Sequence, residues 1–214
     1  MKIQLKSKVV LLAGIFLFLT CIALLYFSNK NVNQASIDNP SISVFKASFG
    51  IDYNRLEEVV GDADYVFVGN VVSEDDVVYK HAVTVETEDG KTQEVSTPYT
   101  NYTVNITQNI KGNLITEEDI PIQKAGGFSK DGTECFLYEG DELPIAGNTY
   151  IFFAYAQLDG SLLVSGPISN INIKAESADR SIDGQTSEYD KVVDAYNRQI
   201  DTGRDRSVSV YEAE

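Results

Sequence analysis

His81 is the only histidine in this 214-residue sequence, and it limits the chemistry that the chain can perform. A zinc site built from histidines is excluded, and a Ser-His-Asp arrangement would have a single possible base. The residue stands in a weakly predicted strand beside Tyr79, Lys80 and Val83. We therefore interpret His81 as a surface residue without a catalytic role.

The chain has two cysteines, Cys21 in an apolar run near the N-terminus and Cys135 much later. Because we expect the apolar run to lie in a membrane, the two cysteines cannot pair with each other. No second cysteine is available near Cys135, and His81 is the one possible base. We predict that Cys135 is a buried, unreactive thiol and that the surrounding domain is held by its core rather than by disulfides.

Acidic residues are numerous, and two kinds of carboxylate chemistry can be considered. Two carboxyl groups about 5–9.5 Å apart in one cleft would support glycan hydrolysis, and the candidates are Glu134 with Glu139 or Asp141. Carboxylates from two loops could instead converge on Ca²⁺, although no stretch has the spacing of a calcium loop. We favour solvated acids and predict no catalytic, cofactor-binding or metal-binding residues. The clusters in predicted loops are Glu74-Asp75-Asp76, Glu117-Glu118-Asp119 and Glu139-Gly140-Asp141-Glu142.

Two short motifs are weak functional signals. Ala125-Gly126-Gly127 lacks the lysine and the following helix of a phosphate-binding loop, so a tight turn that uses positive φ is the better interpretation. Asn101 and Asn105 each begin an Asn-X-Thr sequence, the acceptor pattern for N-glycosylation. The architecture described below is typical of a bacterial surface protein, in which that pattern would carry no meaning.

The charge of the chain excludes some partners. The net charge is −15, and the first thirty residues contain four lysines and no acid, so the remainder is even more acidic. Such a surface repels nucleic acid phosphates and anionic lipid headgroups. We therefore expect no nucleic acid partner and attribute the acidity to solubility.

Residues 9–27 form an uncharged apolar run preceded by three lysines. As a helix the run would span about 28 Å, close to the ~30 Å hydrocarbon core of a bilayer. The lysines favour a cytoplasmic N-terminus, residues 1–8, with the rest of the chain outside the cell membrane as a single-pass protein. Two alternatives remain open: a signal peptide cleaved near Ala35, and a lipoprotein acylated at Cys21.

The remainder is predicted to fold as one all-β domain with peripheral helices. Residues 28–49 are predicted to be a flexible stalk, residues 50–175 the domain, and residues 176–214 a polar link, an amphipathic helix and a frayed tail. The central strand covers residues 99–110, in which Tyr102, Val104 and Ile106 share one face, and Gly112 ends it. The other predicted strands are 63–73 with a bend at Gly69, 77–85, an edge strand 119–124 containing Pro121, a buried strand 149–156, 162–165, and 168–173, which would close the sheet.

Two helices are predicted beside the strands. The first covers residues 53–60, with Asp52 as its N-cap and Gly61 as its stop. The second covers residues 188–200 and is amphipathic, so it would either dock on the barrel or wait for a partner. Segments 125–135 and 139–147 are predicted loops, and we expect five or six strands to form an OB-like barrel.

The amino-acid sequences of three of these strands resemble those of a known family. Ala63-Asp64-Tyr65-Val66-Phe67-Val68-Gly69-Asn70-Val71 is similar to the opening strand of the netrin-like domain, the fold of the tissue inhibitors of metalloproteinases. The stretch from Tyr102 to Lys111-Gly112 resembles the long strand of that family, and Gly147-Asn-Thr-Tyr-Ile-Phe-Phe152 resembles the strand after its cysteine-bearing loop. The resemblance covers roughly residues 63–174 and implies the fold.

The resemblance does not imply protease inhibition. Those inhibitors chelate the protease zinc through a cysteine at the free mature N-terminus, and this chain has no cysteine between Cys21 and Cys135. We therefore expect a membrane-anchored, non-catalytic interaction module that binds a protein or a cell-envelope component. The alternatives are a carboxylate-only hydrolase of envelope glycans and a structural envelope protein that recruits a partner through its C-terminal helix.

Overall fold

The computed structural model describes residues 40–45, 47–86, 89–173 and 187–214. The predicted cytoplasmic segment and membrane anchor, much of the stalk and most of the polar link lie outside these residues. Neither helix of the described ranges is long and apolar enough to cross a membrane. The elements, in chain order, are β1 (Ser41–Phe45), α1 (Leu56–Asp62), β2 (Tyr65–Glu86), β3 (Thr92–Lys111), β4 (Asp119–Ala125), β5 (Gly127–Phe128), β6 (Glu134–Tyr138), β7 (Thr149–Ala156), β8 (Leu162–Val164), β9 (Asn170–Asn172) and α2 (Glu188–Asn197).

Six strands form one sheet that curls into a partly closed ring. Their order is β2-β3-β4-β8-β7-β9, and β2 also pairs with β7. The neighbours run antiparallel except for β4 and β8, which pair in parallel at Gln123↔Leu163 and Lys124↔Val164. The prediction of a mostly β fold with peripheral helices is confirmed. The prediction that residues 168–173 close the sheet is wrong, because β9 pairs with β7 alone and the β2–β7 pairing makes the closure.

The interior of the ring is filled by the alternating apolar positions of its strands. Tyr102, Val104 and Ile106 have no exposed surface, as the period-2 pattern of β3 predicted. The rings of Phe67 and Phe152 lie 5.4 Å apart beside them. β7 is the central buried strand expected from its nearly continuous apolar sequence.

A second apolar cluster covers the opposite faces of β2 and β7. It contains Val59 and Val60 from α1, Val66 from β2, Phe153 from β7 and Val192 from α2. Helix α2 begins after Ser187, whose hydroxyl accepts a hydrogen bond from the Asp190 amide at 3.1 Å. Of the two alternatives for this helix, docking on the domain is the one observed.

The strand β2 is longer than predicted. Segments 63–73 and 77–85 were expected to be separate strands with Glu74-Asp75-Asp76 in a loop, but they form one 22-residue strand. Register shifts between Val68 and Gly69, and again between Glu74 and Val77, absorb the extra residues against β3. β-Bulges of this kind let one strand bend without ending, which the local sequence does not reveal. The bend predicted at Gly69 is confirmed.

The first helix was predicted with the wrong limits. It runs from Leu56 to Asp62, so Asp52 is not its N-cap and Gly61 does not stop it. Asp52 instead accepts a hydrogen bond from the Asn54 amide at 2.9 Å, in a turn before the helix. Gly61 is required because the chain passes close by: a Cβ there would lie 1.8 Å from the carbonyl oxygen of Ile200.

Two predicted irregular regions contain strands. β1, within the predicted stalk, pairs in parallel with β6, and β5 pairs with β6 on the other side. Residues 41–45 of the predicted stalk are therefore a strand, and the predicted loop 125–135 contains β5 and the start of β6. Pro121 has the edge position expected of it, since β8 pairs with β4 at Gln123 and Lys124 only.

The C-terminal segment, residues 198–214, is packed rather than frayed. Arg206 donates to the carbonyl oxygens of Gly61 at 2.5 Å and Ala63 at 3.0 Å, and Arg204 donates to that of Asp62 at 3.1 Å. These carbonyls end α1, whose last turn has no basic residue of its own. Because the last carbonyls of a helix lack partners within it, distant cations stabilise this end.

Candidate functional site

The carboxyl groups considered for glycan hydrolysis, Glu134 with Glu139 or Asp141, are not two free groups facing each other in one cleft. The side chain of Asp141 has no exposed surface and pairs with Lys124. Glu134 accepts a hydrogen bond from Ser43 Oγ at 3.2 Å, and Glu139 is exposed. These carboxylates therefore have different surroundings and different partners.

Two carboxylates of the acidic cluster Glu74-Asp75-Asp76 accept hydrogen bonds from neighbouring side chains. Asp75 accepts hydrogen bonds from Ser73 Oγ at 2.6 Å and Thr103 Oγ1 at 3.0 Å, and Asp76 accepts one from Asn101 Nδ2 at 2.8 Å. Among the described residues no group of three His, Cys, Asp or Glu side chains could hold a metal ion.

The two consecutive glycines Gly126 and Gly127 both have positive φ, 122° and 147°. Gly127 lies at the start of β5, and a Cβ there would come within 2.5 Å of Thr100 Oγ1. Thr100 in turn donates to the Gly126 carbonyl at 2.8 Å. The pair thus permits close packing of the small sheet on β3, and the positive φ predicted from sequence is confirmed.

A groove of about 280 Å³ lies on the outer face of the ring and is lined by both polar and apolar side chains. Its floor consists of outward-facing side chains of three adjacent strands, Tyr99 on β3, Gln123 on β4 and Leu163 on β8. One wall is formed where β2 bends at Lys80 and His81. The other wall is the β7–β8 turn, with Gln157, Asp159 and Ser161.

Tyr99 is the aromatic platform of this groove. The Lys80 ammonium lies 4.9 Å from the centre of its ring, and the His81 ring lies 6.1 Å away in an edge-on arrangement. Burial raises the pKa of the Tyr99 hydroxyl, so it remains a neutral donor and acceptor at physiological pH. An aromatic ring flanked by a cation suits a ligand that has both flat or apolar faces and polar groups.

His81 owes its position to an irregularity of the backbone. Its φ of 54° is in the left-handed region, which few residues other than glycine adopt. The register of β2 against β3 shifts between Lys80 and Val83, so His81 sits in a bulge. Bulges and strained residues turn side chains out of the sheet, and they are concentrated at functional sites.

The polar floor is held by a chain of side-chain hydrogen bonds. Lys80 Nζ donates to the side-chain amide oxygen of Gln123, Oε1, and Gln123 Nε2 donates to Asn101 Oδ1 at 2.7 Å. Asn101 Nδ2 donates in turn to Asp76. Asp76, part of the acidic cluster in β2, thus orients the Gln123 amide in the groove through Asn101. The sequence had predicted only that the Asp76 carboxylate is solvated.

The wall opposite is fixed by the C-terminal segment. The Val210 amide donates to the Gly160 carbonyl at 3.1 Å, and Ser209 Oγ donates to the same oxygen at 3.0 Å. Within the turn, the Ser161 amide and hydroxyl both donate to Asp159 Oδ1, which lowers the pKa of that carboxyl group. The Asp159 carboxylate therefore stays ionised in the groove.

His81 thus lines the candidate groove, in the wall formed where β2 bends. Sequence reasoning did not single out Tyr99, Gln123, Gln157 or Asp159, because Tyr99 and Gln157 are 58 positions apart and the parallel pairing of β4 with β8 brings their strands together. The one local signal is Leu158-Asp159-Gly160-Ser161, which predicts a turn that joins strands 149–156 and 162–165 in a hairpin, and the antiparallel pairing of β7 with β8 confirms this hairpin. Cys135 is 7% exposed, as expected of a buried thiol.

Comparison of this chain with models of known protein families and with curated protein sequences found no match.

Proposed function

We propose that this chain is a non-catalytic interaction module, held outside the cell membrane by residues 9–27, whose OB-like barrel binds a protein or a cell-envelope polymer. The observation that carries the proposal is the groove around Tyr99, at the place where the ring and its connections form a shaped polar surface.

The order of the strands supports the OB-like description. An OB fold is a partly open five-stranded barrel that binds ligands on the face of strands 2 and 3, between the connections of strands 1–2 and 4–5. Here β2, β3, β4, β7 and β8 are the five ring strands in chain order. The groove has β3 and β4 in its floor, the β2–β3 arm on one side and the β7–β8 turn on the other. The netrin-like resemblance of residues 63–174 is consistent with this arrangement.

The composition of the groove favours a ligand with hydroxyl, amide or mixed polar groups. Lys80 and Asp159 supply one charge of each sign, and the Gln123 and Gln157 amides supply neutral donors and acceptors. A polyanion would meet the repulsion of a chain whose net charge is −15. Leu158, which lies between two lining residues, is fully exposed and offers an apolar contact at the rim.

The test uses the full chain in its own membrane with a photo-crosslinking side chain in place of Gln157. The matched control carries the same group at Val72, which is 49% exposed on β2 and does not line the groove. We expect covalent adducts with an envelope component from position 157 that disappear when Tyr99→Ala is added. No adduct at 157, or identical adducts from both positions, would overturn the proposal.

The anchoring is tested separately by the mass of the mature chain recovered from membranes. We expect the mass of all 214 residues, with the domain cleaved by protease added outside the cells. A mature chain that starts near Ser36 would show a secreted domain instead and would refute the anchor while leaving the groove proposal open to its own test.

A further inference from the structure

Lys124 and Asp141 form an ion pair enclosed within the domain. Both side chains have no exposed surface, and the Lys124 ammonium nitrogen is in direct contact with a carboxyl oxygen of Asp141. Lys124 faces inward from β4 beside the ring core, and Asp141 comes from the segment after β6. Two charged groups removed from water in this way are costly, since the desolvation penalty can exceed their mutual attraction.

The surroundings of the pair orient both groups. Lys124 Nζ also donates to the Ala125 carbonyl at 3.1 Å, and Ser169 Oγ donates to Asp141 Oδ1 at 3.0 Å. Oδ2 is the oxygen that Lys124 contacts. Beside Ser169, the Nδ2 of Asn170 is buried and has no hydrogen-bond partner among the described residues. The Ser169 hydroxyl, which donates to Oδ1, polarises the Asp141 carboxyl group, while the Lys124 amine contacts Oδ2.

Burial acts on the protonation of the pair in a consistent direction. Desolvation lowers the pKa of the Lys124 amine and raises the pKa of the Asp141 carboxyl group, in each case against the opposing effect of the partner. Both changes favour the uncharged amine and the uncharged carboxylic acid. An uncharged amine is a nucleophile, as in enzymes that use a desolvated lysine.

We propose that Lys124 and Asp141 join through an isopeptide bond, an intramolecular amide that cross-links β4 to the segment after β6. Lys124 Nζ attacks Asp141 Cγ and the N–C bond forms. One amine proton passes to Oδ2, which already carries the acid proton, and Oδ2 leaves as water when the C–O bond breaks. The reaction is a condensation, so it needs no oxidant, reductant or activated co-reactant. Holding the two groups in contact supplies the proximity that the bimolecular reaction in water lacks.

The cross-link would give this domain a covalent tie of the kind that its cysteines cannot supply. It would close the loop that contains β5 and β6, to which β1 and hence the membrane-proximal chain are paired. A covalent closure there restricts the unfolded chain in the same way as a disulfide, without depending on the redox state outside the cell.

The test is a tryptic digest of the full chain in denaturant, analysed by mass. If the bond is present, trypsin cannot cleave after Lys124, and peptides 112–130 and 131–174 appear as one species lighter than their sum by one water. Cleavage after Lys111, a partly buried lysine, is the internal control, because among the described residues its Nζ donates to the carbonyls of Val60 and Gly61 and to no carboxyl group.

The matched variant is Lys124→Arg, which keeps the positive charge but has a guanidinium that stays protonated and is not a nucleophile. We expect it to release peptide 131–174 at its full mass. Because the wild-type digest decides the question in denaturant, a folding defect of the variant does not affect the answer. Free peptides 112–124 and 131–174 at full mass from the wild-type chain would overturn the proposal and leave a plain ion pair.

Discussion

Arg206 donates to Asp64 Oδ1 at 3.0 Å, and this contact joins two residues that are 142 positions apart. Asp64 comes directly before β2 and is 3% exposed, and it also accepts hydrogen bonds from Arg204 and from the Ala156 amide at 2.9 Å. A single carboxylate thus ties the C-terminal segment to the start of the ring and to the end of β7.

Replacing this carboxylate should loosen the C-terminal segment. We expect Asp64→Ala to lower the free energy of unfolding by about 2–3 kcal/mol, because it removes the acceptor of the Ala156 amide and the carboxylate partner of Arg204 and Arg206, which keep only their other acceptors at the end of α1. Urea denaturation measures the loss, and faster cleavage by trypsin after Arg204 and Arg206 locates it. The control is Asp201→Ala, an 82% exposed partner of Arg206 at 3.7 Å, which should cost at most about 1 kcal/mol. Equal losses in the two variants would contradict this account.

Gly61 offers a test in which the sign of the effect is informative. In an ordinary helix, replacing glycine by alanine stabilises by about 1 kcal/mol. Here the added Cβ would lie 1.8 Å from Ile200 O, so we expect Gly61→Ala to destabilise by about 1–3 kcal/mol. The control is Gly50→Ala, which meets no atom within 4 Å and should change the unfolding midpoint little. A stabilised Gly61→Ala protein would show that Ile200 does not pack there.

Lys111 should give the stability a distinctive pH dependence. Desolvation lowers its pKa to about 8, below its ordinary value of 10.5, so at alkaline pH the unfolded chain binds this proton more tightly than the folded one. The contribution of Lys111 to the free energy of unfolding therefore rises as the pH increases from about 8 to about 9.5. This pH range ends at about 9.5 because of buried tyrosines such as Tyr102, whose pKa is raised by burial. In the unfolded chain these tyrosines ionise near pH 10, which lowers the stability of the folded state above that pH.

The measurement is the urea midpoint at several pH values in this window, compared with that of Lys111→Met. The variant should lose most of the rise, while its stability at a single pH is also lowered by the loss of the bonds to the Val60 and Gly61 carbonyls. An unchanged slope in the variant would assign the pH dependence to another group.

Cys135 should resist alkylation in the folded protein. It is 7% exposed, and burial raises the pKa of its thiol, so little thiolate is present at pH 8. We expect iodoacetamide to label position 135 slowly in native conditions and rapidly in urea, as followed by mass analysis of the peptide. Rapid labelling of the native chain would show that the β5–β6 region opens.

The local sequence predicted those strands and helices in which the buried face recurs regularly along the element. Burial of one face of a strand appears as alternation, which located Tyr102, Val104 and Ile106, and burial of both faces appears as the continuous apolar run of β7. The second helix was found because an apolar stripe recurs at helical spacing. In each case the information lies within a few neighbouring residues.

Tertiary structure alone decided the features that depend on distant partners. β1 is a strand because β6 accepts it, the C-terminal segment is ordered because Asp64 and the end of α1 bind its arginines, and Gly61 lies inside a helix because Ile200 crosses it. From the sequence alone, Lys124 is an ordinary lysine in a strand and Asp141 an ordinary acid in a loop. Only the fold shows that they are buried together as an ion pair. The groove around Tyr99 likewise depends on the pairing of β4 with β8, which brings the β7–β8 turn beside β3. Hydrogen bonds and ion pairs between remote residues leave no periodic trace in a sequence.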